Sequence, residues 1–257
     1  MATDDGFEGE RPAAAVPLDP ESGRKLPLHA FAILESGDAF EMAGAGPPKE
    51  GRAQAAAYFA AKMTVKAHGA PDALVKAVKD EVVAQLMGNL QLIKRLSAAR
   101  PIEVDLIPPG KAMSAFGFPK GASARAAGLF WDHPSWPRAR IGLLQKSLQT
   151  ERALVTHEMA HAIARLAFTA LEQDTIYRLM IPTYRYRSWV DEVFAIYSER
   201  EFLPGFTERE GHAPGVYGLA RQRWDERHVF TRFVRQLYHP HKPLAGSSPG
   251  SPRGFLG

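Results

Sequence analysis

Apolar positions recur every three or four residues over five stretches of the chain, and they alternate most clearly in one. Ala53 to Lys66 carries the helical period. After a break at Gly69 to Pro71, Pro71 and Asp72 open a second helix. Leu74, Val78, Val82, Leu86, Leu90 and Ile93 fall on one of its faces, so the pattern predicts one long helix packed on one side. PIEVDLIPP then alternates Ile102, Val104 and Leu106 against Glu103 and Asp105, the pattern of a strand with one buried face. Two more strands are expected at Gly128 to Trp131 and Arg138 to Leu144, separated by the turn DHPSWP. The helical period returns over Thr150 to Leu171, Trp189 to Phe202 and Leu219 to Leu237. The expected fold class is therefore α+β: a helical front, a small sheet and a helical second half.

The ends lack such periodicity. Residues 1–27 mix Pro, Gly, Asp and Glu, and 239–257 is a Pro/Gly/Ser segment, so the first is expected to be disordered and the second a disordered tail or a linker, around one domain at 28–238. Within that domain, HAFAILESGDAF reads as a short hairpin around Ser36 and Gly37.

Composition narrows the classes. At 45% hydrophobic and 23% charged, 257 residues suffice for a sizeable core. No run approaches the roughly 20 apolar residues of a membrane span, and MATDDGFEGERP lacks the basic-then-apolar start of a signal peptide. The expected setting is cytoplasmic or non-classically exported. The absence of cysteine excludes disulfides and thiolate metal ligands. A formal charge of +4 is too small to argue for nucleic acid, and none is expected as a partner. The arginines from Arg221 to Arg235 interleave with Phe230, Phe233, Val234 and Leu237, which reads as the solvated face of a core-packing helix.

Against that background, TERALVTHEMAHAIARLAF is distinctive. It is an unbroken run of helix formers in which Leu154, Ile163 and Leu166 are candidate core contacts, and it carries HExxH at its centre. Spacing of four puts His157 and His161 on adjacent turns of one helical face, where two imidazoles can share an ion. Glu158 lies about 100° around the helix, placed to take a proton from a metal-polarised water as general base. Ala160 and Ala162 leave space around the pair.

A catalytic zinc takes a third protein ligand. The residues after His161 lack the Gly and third His of the metzincin pattern. Glu192 in SWVDEVFAIYSERE is the candidate, on a segment where Val190, Phe194 and Tyr197 form an apolar stripe; Asp191, Glu199 and Glu201 compete with it.

An HExxH followed about thirty residues later by a helical Glu resembles the gluzincins. The E-x-F-A sequence at Glu192 to Ala195 is similar to the third-ligand helix of the anthrax lethal factor and Pro-Pro endopeptidase branch. The likeness covers Ile102 to Phe202. It implies a zincin-like fold with Zn2+ bound by His157, His161 and Glu192, and water activated by Glu158. In that branch a tyrosine shortly before the third ligand stabilises the oxyanion; Tyr186 and then Tyr184 are the residues this chain offers, at slightly different spacing. Several gluzincins carry an acidic residue four positions after the ligand Glu, where this chain has Ile196. Glu199, seven residues on and so on nearly the same face, is the natural substitute as support for an imidazole.

The resemblance implies hydrolysis of peptide bonds, with a protein or peptide substrate held extended along an edge strand, expected at Arg138 to Leu144. Phe130, Trp131 and Trp136 are either walls of a specificity pocket or core. Alternatives are a repressor- or partner-cleaving regulatory protease, with EFLPGF after Glu192 as its similarity, a repair-type protease with a third His such as His212, a secreted toxin or effector, and a non-catalytic binding module.

Overall fold

The computed structural model describes residues 48–123, 126–133, 135–150, 153–180, 187–202 and 229–239. Residues 1–47, 203–228 and 240–257 lie outside the described residues, and with them the expected hairpin at Ser36 and Gly37, both end segments and the first part of the helix expected from Leu219.

Four strands form one mixed sheet: β1 (Met63–Lys66), β2 (Ile102–Ile107), β3 (Gly128–Trp131) and β4 (Ala139–Leu144), in the order β1-β2-β4-β3. The first three in that order run parallel, with Val65 opposite Val104 and Val104 opposite Ile141. β3 is antiparallel to β4 and forms the edge, with Leu129 opposite Gly142. This corrects the edge assignment made from the sequence. The strand at Arg138 to Leu144 is internal, because β3 folds back beside it and takes the outer position.

The helices described are α1 (Pro48–Lys62), α2 (Asp72–Leu86), α3 (Leu90–Ala98), α4 (Lys120–Ser123), α5 (Gln145–Thr150), α6 (Leu154–Leu166), α7 (Ala170–Met180), α8 (Arg187–Phe202) and α9 (Val229–Tyr238). Three sequence-based expectations fail here. The helix expected to Lys66 ends at Lys62, and Met63–Lys66 is instead the strand β1, whose four residues are too few to show an alternation. The long helix expected through Ile93 is broken after Leu86. Asn89 adopts an extended backbone there, and its Oδ1 accepts from the Leu92 N–H at 3.0 Å, so a new helix starts with an ordinary side-chain cap. The helix expected over Thr150 to Leu171 is three pieces, because Ala153 takes a left-handed conformation (φ 62°) between α5 and α6, and Ala167 to Thr169 separate α6 from α7.

The main core lies between the sheet and the helices. Ile102, Val104 and Leu106 of β2 and Ile141 and Leu143 of β4 face Met159 and Ile163 of α6 and the long helices around it. The candidate core residues of α6 behave as expected at Leu154 and Ile163, with Leu166 partly buried against the same cluster. Phe168, Phe194, Phe230 and Phe233 pack ring against ring, joining α8 and α9 to the segment after α6. On α9 Arg235 binds Glu201 at 3.3 Å while Phe230, Phe233, Val234 and Leu237 are buried, so that part of the basic stretch is a core-packing helix.

β2 was expected to bury one face; both are covered. Ile107 joins Met113 and Phe118 in a second, smaller cluster, against which Leu129 and Trp131 pack. Asp105 is buried on that side too, held by Arg140 Nη2 at 2.6 Å and His68 Nε2 at 2.9 Å. The Arg140 guanidinium in turn lies over the rings of Phe118 and Trp136, at 4.6 and 5.3 Å. Trp131 thus packs on the smaller cluster, Trp136 lies against the Arg140 guanidinium, and Phe130 packs against the main core. Among the described residues no helix is long and apolar enough to cross a membrane.

Candidate metal centre

The centre is built on two helices that pack against each other, α6 and α8. The first turn of α6 is tied down from outside, since Ala153 offers no capping side chain. Glu81 of α2 accepts from the Thr156 N–H at 2.8 Å and from the Thr156 hydroxyl at 2.9 Å, and Gln85 of the same helix donates to the Thr156 carbonyl at 3.0 Å. A carboxylate at this position completes open N–H groups and complements the helix dipole. Burial, outweighing these hydrogen bonds, raises the Glu81 pKa. Tyr238 of α9 accepts from Gln85 and donates to Ser198 of α8 at 3.0 Å, linking the same frame to α8.

On this frame the Nε2 atoms of His157 and His161 lie 3.2 Å apart. Glu192 of α8 brings Oε1 to 3.4 Å from His157 Nε2 and Oε2 to 3.5 Å from His161 Nε2. These three residues form the described group of His, Asp and Glu able to hold a metal ion. The spacing tests the fit. Four ligands about 2.0–2.2 Å from a tetrahedral zinc are separated from one another by about 3.3–3.6 Å, close to the three separations here. Two neutral imidazoles and a carboxylate are also a donor set that zinc accepts.

Around the donors, the other side chains of the sequence-based proposal are sorted. His157 gives its Nδ1–H to Glu199 in a short hydrogen bond, so Glu199 is a support for the ring and Nε2 is left for the donor set. Glu201 is turned away, to Arg235 and His239, and Asp191 is exposed. Tyr184, Tyr186 and His212 lie outside the described residues.

Glu158 is buried beside the pair. Its Oε2 accepts from the Phe130 N–H of the edge strand at 2.6 Å. The His157 and Glu158 side of the centre is closed, 6% and 4% exposed, whereas the side chains of His161 and Glu192 are 20% and 28% exposed, so the centre opens toward the latter two.

The charges are strongly coupled. Burial disfavours the charged His157 ring, but hydrogen bonds to Glu192 and Glu199 and the charge of Glu158 outweigh it, raising its pKa well above that of a free imidazole. Burial likewise opposes ionisation of Glu192, yet the hydrogen bonds and charges of His157 and His161 hold its carboxyl well below the usual carboxylate range. At Glu158 burial prevails over the two imidazoles and the Phe130 N–H, and its pKa is raised. A carboxylate raised in this way is a better proton acceptor at neutral pH than a free one.

Two features of the centre had little signal in the sequence. Glu81 sits on a remote helix, and no local pattern announces that its side chain reaches Thr156. Gly128 and Phe130 touch Glu158 from the edge strand; the glycine opening a short strand was the available hint. Comparison with protein-family models, with curated proteins and with solved structures finds no match to this chain.

Proposed function

We propose that this protein is a zinc-dependent metallopeptidase of the gluzincin kind. The observation that carries the reading is the convergence of His157 Nε2, His161 Nε2 and the Glu192 carboxylate at the separations of a zinc coordination shell, with Glu158 next to them. The small mixed sheet is compatible with the reading: parallel strands are bordered by the antiparallel strand β3, and the HExxH helix packs against that edge.

His157, His161 and Glu192 would hold the ion, and Glu199, as acceptor of the Nδ1–H, keeps His157 in the tautomer whose Nε2 carries the lone pair. Zinc, when bound, polarises a water and the scissile carbonyl. Glu158 takes the proton of the attacking water and returns it to the leaving amine. The Leu144 N–H donates to the Ala127 carbonyl, so Gly128 and the Phe130 carbonyl turn outward from the sheet, where an extended peptide can add as a further strand, while the Phe130 N–H is taken by Glu158. A protein or peptide is accordingly the substrate class proposed.

The test is metal content together with peptide-library cleavage for the wild-type chain, Glu158→Gln and Glu192→Ala. Wild type is expected to carry zinc and cleave, Glu158→Gln to carry zinc with turnover reduced by about 10²–10⁴-fold, and Glu192→Ala to lose zinc. A wild-type chain without zinc, or a Glu158→Gln chain that cleaves at the wild-type rate, would falsify the assignment.

A further inference from the structure

An outward amide on an edge strand ordinarily faces water or an added strand. On β3 it does neither at Phe130, whose N–H is 2.6 Å from Glu158 Oε2. Two residues earlier, a Cβ placed on Gly128 would lie 2.6 Å from Glu158 Oε1, 2.7 Å from its Cγ and 2.9 Å from its Cδ. The carboxylate therefore rests against a bare α-carbon. Two residues later, Asp132 Oδ2 meets Arg165 Nε at 3.3 Å. Glu158 and Arg165 are two turns apart on one face of α6. The edge strand is thus fastened to the HExxH helix at Glu158, and the residue that follows the strand is held by the same helix one contact further on.

We infer that Gly128 and Phe130 are positioning residues for the general base: the Phe130 N–H fixes one carboxylate oxygen of Glu158, and the missing side chain at 128 leaves room for the group. The effect on turnover rests on the peptidase reading; the contact does not. What a methyl group at 128 would meet is the Glu158 side chain from Cγ to Oε1 and not backbone, so the strand can keep its register while the carboxylate is displaced. The same substitution that is mild for the fold is severe for the base.

Gly128→Ala is expected to fold, judged by circular dichroism, and to retain zinc. Its kcat falls by about a hundredfold, the cost of misplacing a reacting group by about 1 Å, while KM changes less than about threefold. The second measurement needs no activity: hydrogen exchange of the metal-free chain. The Phe130 amide is expected to be protected in wild type and open in Glu158→Ala, with the Leu129 and Trp131 amides, which face β4, unchanged between the two. An unprotected Phe130 amide in wild type, or a Gly128→Ala chain with the wild-type kcat, overturns the inference. A wild-type chain that cleaves nothing but protects Phe130 sinks the peptidase reading and leaves the contact standing; one that cleaves with an open Phe130 amide does the reverse.

Discussion

Glu199 holds Nδ1 of His157 from the helix opposite, one side chain doing on α8 what the residue four positions after Glu192 cannot, since Ile196 is there and buried. The orientation of His157 is therefore set seven residues from Glu192, the other candidate ligand of the same group. Glu199→Ala is expected to lower zinc affinity by about 10–100-fold, read by competition with a chromogenic chelator. Unchanged affinity would remove Glu199 from the centre.

The protonation of the centre gives two opposite pH trends. His157 has a raised pKa in the folded, metal-free chain, so its contribution to stability is complete below the unfolded value of about 6.5 and is lost as pH climbs through the folded value. Glu192 is depressed; its contribution is present above the unfolded value of about 4.3 and is lost only as pH falls through its lower folded value. Between those limits the pair stabilises the metal-free protein, whose melting temperature should decline from about pH 7 to about pH 9. With excess zinc the trend reverses, because protons compete for Nε2, and melting should rise from about pH 6 to about pH 8. Thermal scans with chelator and with zinc check both; parallel profiles would contradict the coupling.

Asn89 is wholly buried and does two jobs, capping α3 at Leu92 and donating Nδ2–H to the Leu237 carbonyl at 2.9 Å. Asn89→Ala should cost about 2 kcal/mol, one cap plus one carbonyl left without its donor. The shift of the urea midpoint at constant slope measures it.

Phe194 is buried at the centre of the ring cluster, with Phe168 at 5.6 Å and Phe230 at 6.3 Å between centroids. Phe194→Ala should destabilise the chain by about 3–5 kcal/mol through lost burial and the cavity left behind. Denaturant unfolding of the zinc-free protein isolates this from any effect on the metal.

What could be read from the residues depended on whether the cause was local. His157, His161 and Glu158 follow from the pitch of one helix, Glu192 from an apolar helical stripe and the family resemblance, and Glu199 from its seven-residue spacing from Glu192; the structure groups His157, His161 and Glu192, with Glu199 on His157. The strands at Ile102 and Gly128 and the amphipathic end of the chain were legible for the same reason. Strand order was not. Nothing in Arg138 to Leu144 reveals that Gly128 to Trp131 will fold back outside it, because that choice is made by packing against α6 and by the Glu158 contact. The break at Asn89 was hidden by apolar residues that keep the helical period on both sides of it, although Gly88 and Asn89 carry the chemistry of a stop and a cap. Met63–Lys66 was too short for its alternation to be told from the end of a helix.

The donor set spans two separate rods, α6 and α8, and nothing covalent nearby fixes how far one has slid past the other. A slip of a single helical turn, about 5.4 Å, would carry Glu192 out of reach of both imidazoles while leaving each helix intact. The phenyl rings of Phe168, just after α6, of Phe194 on α8 and of Phe233 on α9 pack against one another across that boundary. On the metallopeptidase reading, affinity for an ion would then depend on the greasy interior and be tunable by repacking residues that never touch it.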